Sequence, residues 1–231
     1  MSAEPPTRDY VLAVTGLQAE ARVAARSPQT VTVCGSAQQE RLPTLINKAI
    51  TKECRGVISF GIAAGLRYDL RPGTYLIGSK VVDEGGSHSA DGVWTTRLMA
   101  RLPRAELVAI AGVDRPLITP SQKRALFGAT GAAGADMESH VAAHVAAQHG
   151  LPFAVLRVVS DPAERAVPNA ALVGMRHDGS TDAVAVVRSL SRAPNQIPQL
   201  MHVAADAGRA YYALLRCHRR LGSGLGLLDL G

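Results

Sequence analysis

The sequence predicts a three-layer α/β sandwich with a mostly parallel sheet, on three observations. Short runs that are apolar on both faces recur along the chain, stretches of helical periodicity lie between them, and several of the runs end at a glycine or a carboxylate. Strands apolar on both faces require helices on both sides of their sheet, and helical crossovers are what join parallel strands.

YVLAVTG, residues 10–16, reads as the first strand, closed by Gly16 and followed by the helix-prone LQAEARVAAR. TVTVCG ends a second strand at Gly35 and leads through a polar stretch into LPTLINKAI. GVISFG, 56–61, is the third, and GIAAGL, 61–66, reads as a small-residue loop that either offers bare backbone N–H groups to a ligand oxygen or simply turns the chain. TYLIGSKVVDE (74–84), ELVAIAGV (106–113) and PFAVLRVVSD (152–161) complete the strands. The helical windows are TTRLMARL, TPSQKRALFG, MESHVAAHVAAQHG, TDAVAVVRSL and a long final segment over about 197–220. In the third window Met137, Val141, His144 or Val145, and Gln148 recur every three or four residues, and Gly150 and Pro152 stop the helix.

The 231 residues show no linker, and 47 % hydrophobic against 19 % charged residues supplies a large core and excludes a disordered chain. Cys34, Cys54 and Cys217 are odd in number, with no CxxC spacing and no paired-histidine motif. That argues against a disulfide framework or structural zinc, so no metal is expected and a reducing cytoplasm is the expected location. The N-terminus lacks the basic-then-apolar order of a signal peptide, and no apolar run reaches the roughly 20 residues of a membrane span. A net charge of +6 is spread over most of the chain. The exception is the tail, LLRCHRRLGSGLGLLDLG (214–231), where Arg216, His218, Arg219 and Arg220 stand beside leucines. It reads either as a docked helix with a solvated basic face or as a contact for a membrane surface. With three Phe, one Trp and five Tyr the chain has little to stack on bases, and no nucleic-acid partner is expected.

Open α/β sheets bind ligands at the carboxyl ends of their strands, which directs attention to Glu20, Gly61 to Gly65, Asp83, Glu84, Asp114, Ser160 and Asp161. Asp161 closes an apolar strand, where desolvation raises a carboxyl pKa and lets the group hold a proton for a leaving group; an Asx turn or helix cap before PAERAVP is the plainer reading. Glu20 closes the loop after the first strand, as a base on water or as an exposed first-turn glutamate. In GADMESH (134–140), Asp136 can cap the following helix and Glu138 suits the positive end of its dipole.

VTGLQAEARV (14–23), ISFGIAAGLRYDLRPGTYLIGSKVVDE (58–84) and GADMESHVAAHVAAQHGLPFAVLRVVSD (134–161) together resemble the nucleoside phosphorylase and nucleosidase superfamily, over roughly residues 10–190. The branch they are most similar to is that of the 5′-methylthioadenosine/S-adenosylhomocysteine nucleosidases. The resemblance implies a single-domain αβα sandwich with a central mixed, mostly parallel sheet, over 1–191, and cleavage of the N-glycosidic bond of a purine ribonucleoside. It implies that Met137 packs on the ribose, Glu138 accepts hydrogen bonds from the 2′- and 3′-hydroxyls, Asp161 protonates N7 of the departing purine, Ser160 positions it, and Glu20 activates water. Gly61, Ile62 and Ala63 would line the substrate. No cofactor is implied, with phosphate as the alternative acceptor to water, and a homo-oligomer is implied.

The chain also departs from the pattern. Glu20, Ser59 and Ile62 stand where phosphorolytic relatives carry phosphate-binding arginines and a serine, Ile62 departs from the hydrolase pattern too, and Pro116 with Leu117 occupies the place of an aromatic that stacks on adenine. The segment 192–231 is read as a basic helical extension and is similar to the hopanoid-associated phosphorylase branch. That implies a lipid-linked nucleoside, adenosylhopane, and contact with a membrane surface. The alternatives are phosphorolysis of the same bond and a catalytically silent nucleoside-binding module.

Overall fold

The computed structural model describes residues 8–35, 39–168 and 197–228. In chain order the elements are β1 (Tyr10–Thr15), α1 (Gln18–Ala24), β2 (Thr30–Cys34), α2 (Leu42–Ala49), β3 (Cys54–Gly65), β4 (Tyr75–Asp83), β5 (Gly86–Ser89), α3 (Gly92–Arg101), β6 (Glu106–Gly112), α4 (Pro120–Thr130), β7 (Gly134–Asp136), α5 (Ser139–Gln148), β8 (Phe153–Asp161) and α6 (Ile197–Leu221). The window TDAVAVVRSL lies outside the described residues.

Among the described residues the strands form one mixed sheet in the order β2-β1-β3-β7-β6-β4-β5, with β8 pairing both β3 and β4. β1 runs parallel to β2 and β3, β3 to β8, and β4 and β7 to β6, whereas β3–β7, β4–β5 and β4–β8 are antiparallel. The sheet is therefore mostly parallel.

Alternation along β1 shows why the sequence forms layers. Val11 and Ala13 enter a cluster with Val23 of α1, Trp94 and Leu98 of α3, and Ala210, Leu214, Cys217 and Leu221 of α6. Tyr10, Leu12 and Val14 enter a second cluster, on the opposite face, with Leu42 and Ile46 of α2 and Ala142, Val145 and Ala146 of α5. The final helix thus packs into the same core as the strands. Its last turn carries His218, Arg219 and Arg220, matching the negative end of the helix dipole. No helix of the described residues is long and apolar enough to cross a membrane.

Two features differ from the sequence reading. The stretch 61–65 is not a loop but the second half of β3, hydrogen-bonded to β8 and, at Ala64 and Gly65, to β7. Its small residues allow close packing between strands: a Cβ on Gly65 would lie 3.1 Å from Cγ1 of Val159. The short strands β5 and β7 carry too little periodicity to be read from sequence, since GSHS is polar and GAD spans three residues.

Candidate active site

The helix start after β1 places the first carboxylate. Glu20 stands at the third position of α1 and reaches back to its start: Oε2 accepts from the N–H groups of Gly16 (2.9 Å) and Leu17 (2.8 Å), half of a capping box. Oε1 accepts from the N–H of Ile62 at 2.8 Å, so Glu20 also clamps α1 to β3. The carboxyl is only 2 % exposed, and burial raises its pKa against the pull of Arg157 and the three amides. Gly61 makes this possible, because a Cβ there would lie 2.5 Å from Oε1 of Glu20 and 2.8 Å from Nη1 of Arg157.

At the end of β7, Oδ1 of Asp136 accepts from the backbone N–H groups of Glu138 (2.9 Å) and Ser139 (2.7 Å), which caps α5 as the sequence suggests. Its Oδ2 accepts from the Ser139 hydroxyl at 2.6 Å and lies 3.1 Å from Nε of Arg157. Turned inward by this cap, Glu138 approaches Nη2 of Arg157 at 3.3 Å. Desolvation, with Asp136 and Glu20 nearby, pushes the Glu138 carboxyl up to about 7 against the pull of Arg157.

Arg157 is the centre of the group. It comes from the middle of β8, is fully buried, and faces Asp136 and Glu138, the hydroxyls of Ser59 and Ser139, and the carbonyl oxygen of Ile62. One guanidinium thus offsets the carboxylates of Glu20, Asp136 and Glu138, all of which raise its pKa. The sequence reading missed it; the signal was a lone charged residue inside the apolar run PFAVLRVVSD.

Three residues further on, β8 carries a bulge: Val159 pairs with Ala63 and Asp161 with Ala64, leaving Ser160 as the extra residue. The Ser160 hydroxyl lies 3.1 Å from the Ala63 carbonyl oxygen and 2.6 Å from Oδ1 of Asp161. Oδ2 of Asp161 accepts from Nζ of Lys123, and the net effect of burial against Lys123 and Ser160 is a raised pKa. Ile62 bonds Glu20 and Ala64 pairs with Asp161, so Glu20 and Asp161 meet β3 two residues apart, about 7 Å of strand.

Other expected positions lie elsewhere. Met137 sits, half-buried, between β7 and α5. Leu117 packs on the small cluster of Leu66, Ala111, Ala132 and Ala135. Asp83 accepts from the N–H of Gly85 in the β4–β5 hairpin, and Asp114 is 83 % exposed beside His140, so neither joins the buried carboxylates around Arg157. The N–H of Ile62 is taken by Glu20, so GIAAGL does not form the free backbone cradle its composition allowed. Among the described residues no cluster of three or more His, Cys, Asp or Glu side chains is arranged to hold a metal.

The raised carboxyls have a consequence for stability. Unfolded, Glu138 releases its proton near 4.5; folded, near 7, so between these values the native state holds more protons and stability falls as pH rises. Glu20 and Asp161 act with the same sign, whereas His218, held below its usual 6.5 by burial, acts against them. The melting temperature of Glu138→Gln minus that of the wild type is therefore expected to increase from pH 5 to pH 8. A difference independent of pH would contradict this.

The model of the phosphorylase superfamily matches residues 4–193. The chain belongs to that superfamily. Among curated proteins none matches it at the sequence level. Solved structures match it in fold. The futalosine hydrolase of Helicobacter pylori strain 26695 superposes with a TM-score of 0.64 at 12 % identity, covering 91 % of this chain and 97 % of that one. The 5′-methylthioadenosine/S-adenosylhomocysteine nucleosidase of Helicobacter pylori gives 0.63 at 13 %, covering 94 % and 100 %. The S-adenosylhomocysteine nucleosidase of Streptococcus pyogenes gives 0.65 at 12 %, covering 97 % and 99 %. In this superfamily member the mixed αβα sandwich brings Glu20, Glu138 and Asp161 to one region of the sheet.

Proposed function

We propose that this superfamily member hydrolyses the N-glycosidic bond of a purine ribonucleoside. The carrying observation is Arg157 enclosed by Glu20, Asp136 and Glu138, with Asp161 further along the same strand. In this reading Glu138 binds the ribose hydroxyls, and its negative charge favours the oxocarbenium character that develops as the C1′–N9 bond breaks. The bond's electron pair leaves with the purine, which takes a proton at N7 from Asp161. Water adds to C1′ and gives its proton to Glu20. Met137 packs on the ribose, Ser160 orients Asp161, and Gly61, Ile62, Ala63 and Leu117 line the substrate.

Electrostatics support water over phosphate as the acceptor. The guanidinium already faces two carboxylates, two hydroxyls and a carbonyl, and a phosphate dianion beside it would meet the negative charge of Glu138 and Asp136. The proposed substrate is adenosylhopane, on the resemblance of the final segment to the hopanoid-associated branch. α6 supports it with an exposed face bearing Met201, Arg209, Tyr212, Arg216, Arg219 and Arg220, a pattern suited to an anionic membrane surface. A homo-oligomer in the cytoplasm, peripheral at that surface, completes the proposal.

Adenine release from adenosylhopane and from methylthioadenosine, each with and without phosphate, tests it. Release independent of phosphate, lost in Glu20→Gln and faster with the hopanoid, is the expected result. Release only with phosphate makes the protein a phosphorylase, and nucleoside binding without turnover makes it a silent binding module.

A further inference from the structure

Lys123 has no part in the chemistry described so far, yet its placement is unusual. Lysine is seldom fully buried, because an ammonium leaves water only where all its donors find partners. Lys123 is 0 % exposed, and its Nζ has three acceptors: Oδ2 of Asp161 at 2.5 Å, the Pro162 carbonyl at 2.9 Å and the Arg165 carbonyl at 3.0 Å. Its helix is a firm platform. Thr119 and Gln122 cap α4 reciprocally, Pro120 opens it, and Gly131 closes it at φ 65°.

We propose that Lys123 is the positioning residue for the general acid: anchored on the two carbonyls just beyond β8, its ammonium fixes the Asp161 carboxyl and sets the pH at which that carboxyl carries a proton. The inference rests on the reading of Asp161 as proton donor. Two of the three bonds tie α4 to the chain immediately after Asp161, and the third is made to the carboxyl itself. A lysine that served only to staple the segment would need the carbonyls alone.

The groups facing Asp161 come from three elements: Lys123 of α4, the Ser160 hydroxyl of β8 and Asp206 of α6. Arg165 lies close by, but its guanidinium is turned to Asp206, with Nε to Oδ2 at 3.0 Å. Lys123 is therefore the cation paired directly with the acid. It opposes the upward pull of burial and of Asp206.

An acid catalyst works while protonated, so the rate falls as pH rises through its pKa. Loss of the neighbouring cation raises that pKa and moves the alkaline limb of the kcat profile up by about 1–3 pH units. Misalignment lowers the plateau kcat by about 10-fold or more, with KM little changed. The test is the pH profile of adenine release from methylthioadenosine for full-length wild type, Lys123→Met and Lys123→Gln. Both variants are expected to show the displaced limb, with Lys123→Gln, which keeps a donor, recovering part of kcat. In the Asp161→Asn background Lys123→Met should cost little more. An undisplaced limb, or losses that multiply fully in the double variant, overturns the proposal.

A second readout needs no turnover. Titration of carboxyl-¹³C aspartate by NMR, with Asp161→Asn assigning the signal, should place the Asp161 midpoint higher in Lys123→Gln than in wild type. If the wild type cleaves no nucleoside, the functional reading fails, while a displaced midpoint still upholds the hold of Lys123 on Asp161. An unmoved midpoint overturns it.

Discussion

Asp161→Asn lowers kcat for base release by about 10²–10⁴-fold, the usual worth of a positioned general acid, and leaves KM within a few-fold. A purine leaves poorly as an anion, and the amide has no proton to deliver at N7. The side chain should keep its place, because the amide oxygen can still accept from Lys123 while the amide NH2 donates to the hydroxyl oxygen of Ser160, the two partners of the native carboxyl. Steady-state kinetics on methylthioadenosine, with circular dichroism to confirm folding, give the measurement. An undiminished kcat would remove Asp161 from the chemistry.

Arg157→Leu carries the largest expected cost in stability, about 3–5 kcal/mol, the typical result of removing one partner from a buried ion pair. Glu138 and Asp136 would then share a buried site with no cation between them, and the hydroxyls of Ser59 and Ser139 would lose their common donor. Arg157→Lys is not a rescue, since a single ammonium cannot face several acceptors in the guanidinium plane. Urea unfolding of wild type and both variants at pH 7.5 measures the loss. Because Glu138 relieves the repulsion by taking up a proton, the deficit should shrink at pH 5. A pH-independent deficit of less than about 1 kcal/mol would show that the guanidinium is not the counter-charge.

How far the sequence revealed this site depends on the physical signal at each residue. The layers were legible because β1, β3 and β8 are apolar on both faces, and that pattern has few structural solutions. Asp161 stood out because a carboxylate closing an apolar run needs a reason, whereas Glu20 and Glu138 read locally as helix-start acids and gained roles through the family resemblance of VTGLQAEARV and GADMESH. Arg157 and Lys123 were overlooked for the opposite reason: one sits inside a strand and the other on a helix surface pattern, and their meaning comes from partners 19 and 38 residues away. The misreading of GIAAGL has a similar origin. Glycine and alanine mark either a loop or a close approach of strands, and only the pairing with β7 and β8 decides between them.

The most direct test of the account is turnover of methylthioadenosine in ¹⁸O-enriched water containing millimolar phosphate, with mass analysis of the sugar product. Attack by water activated at Glu20 predicts free methylthioribose carrying one solvent oxygen at C1. Methylthioribose 1-phosphate without that label would contradict hydrolysis and show that phosphate is the acceptor in spite of the carboxylates around Arg157.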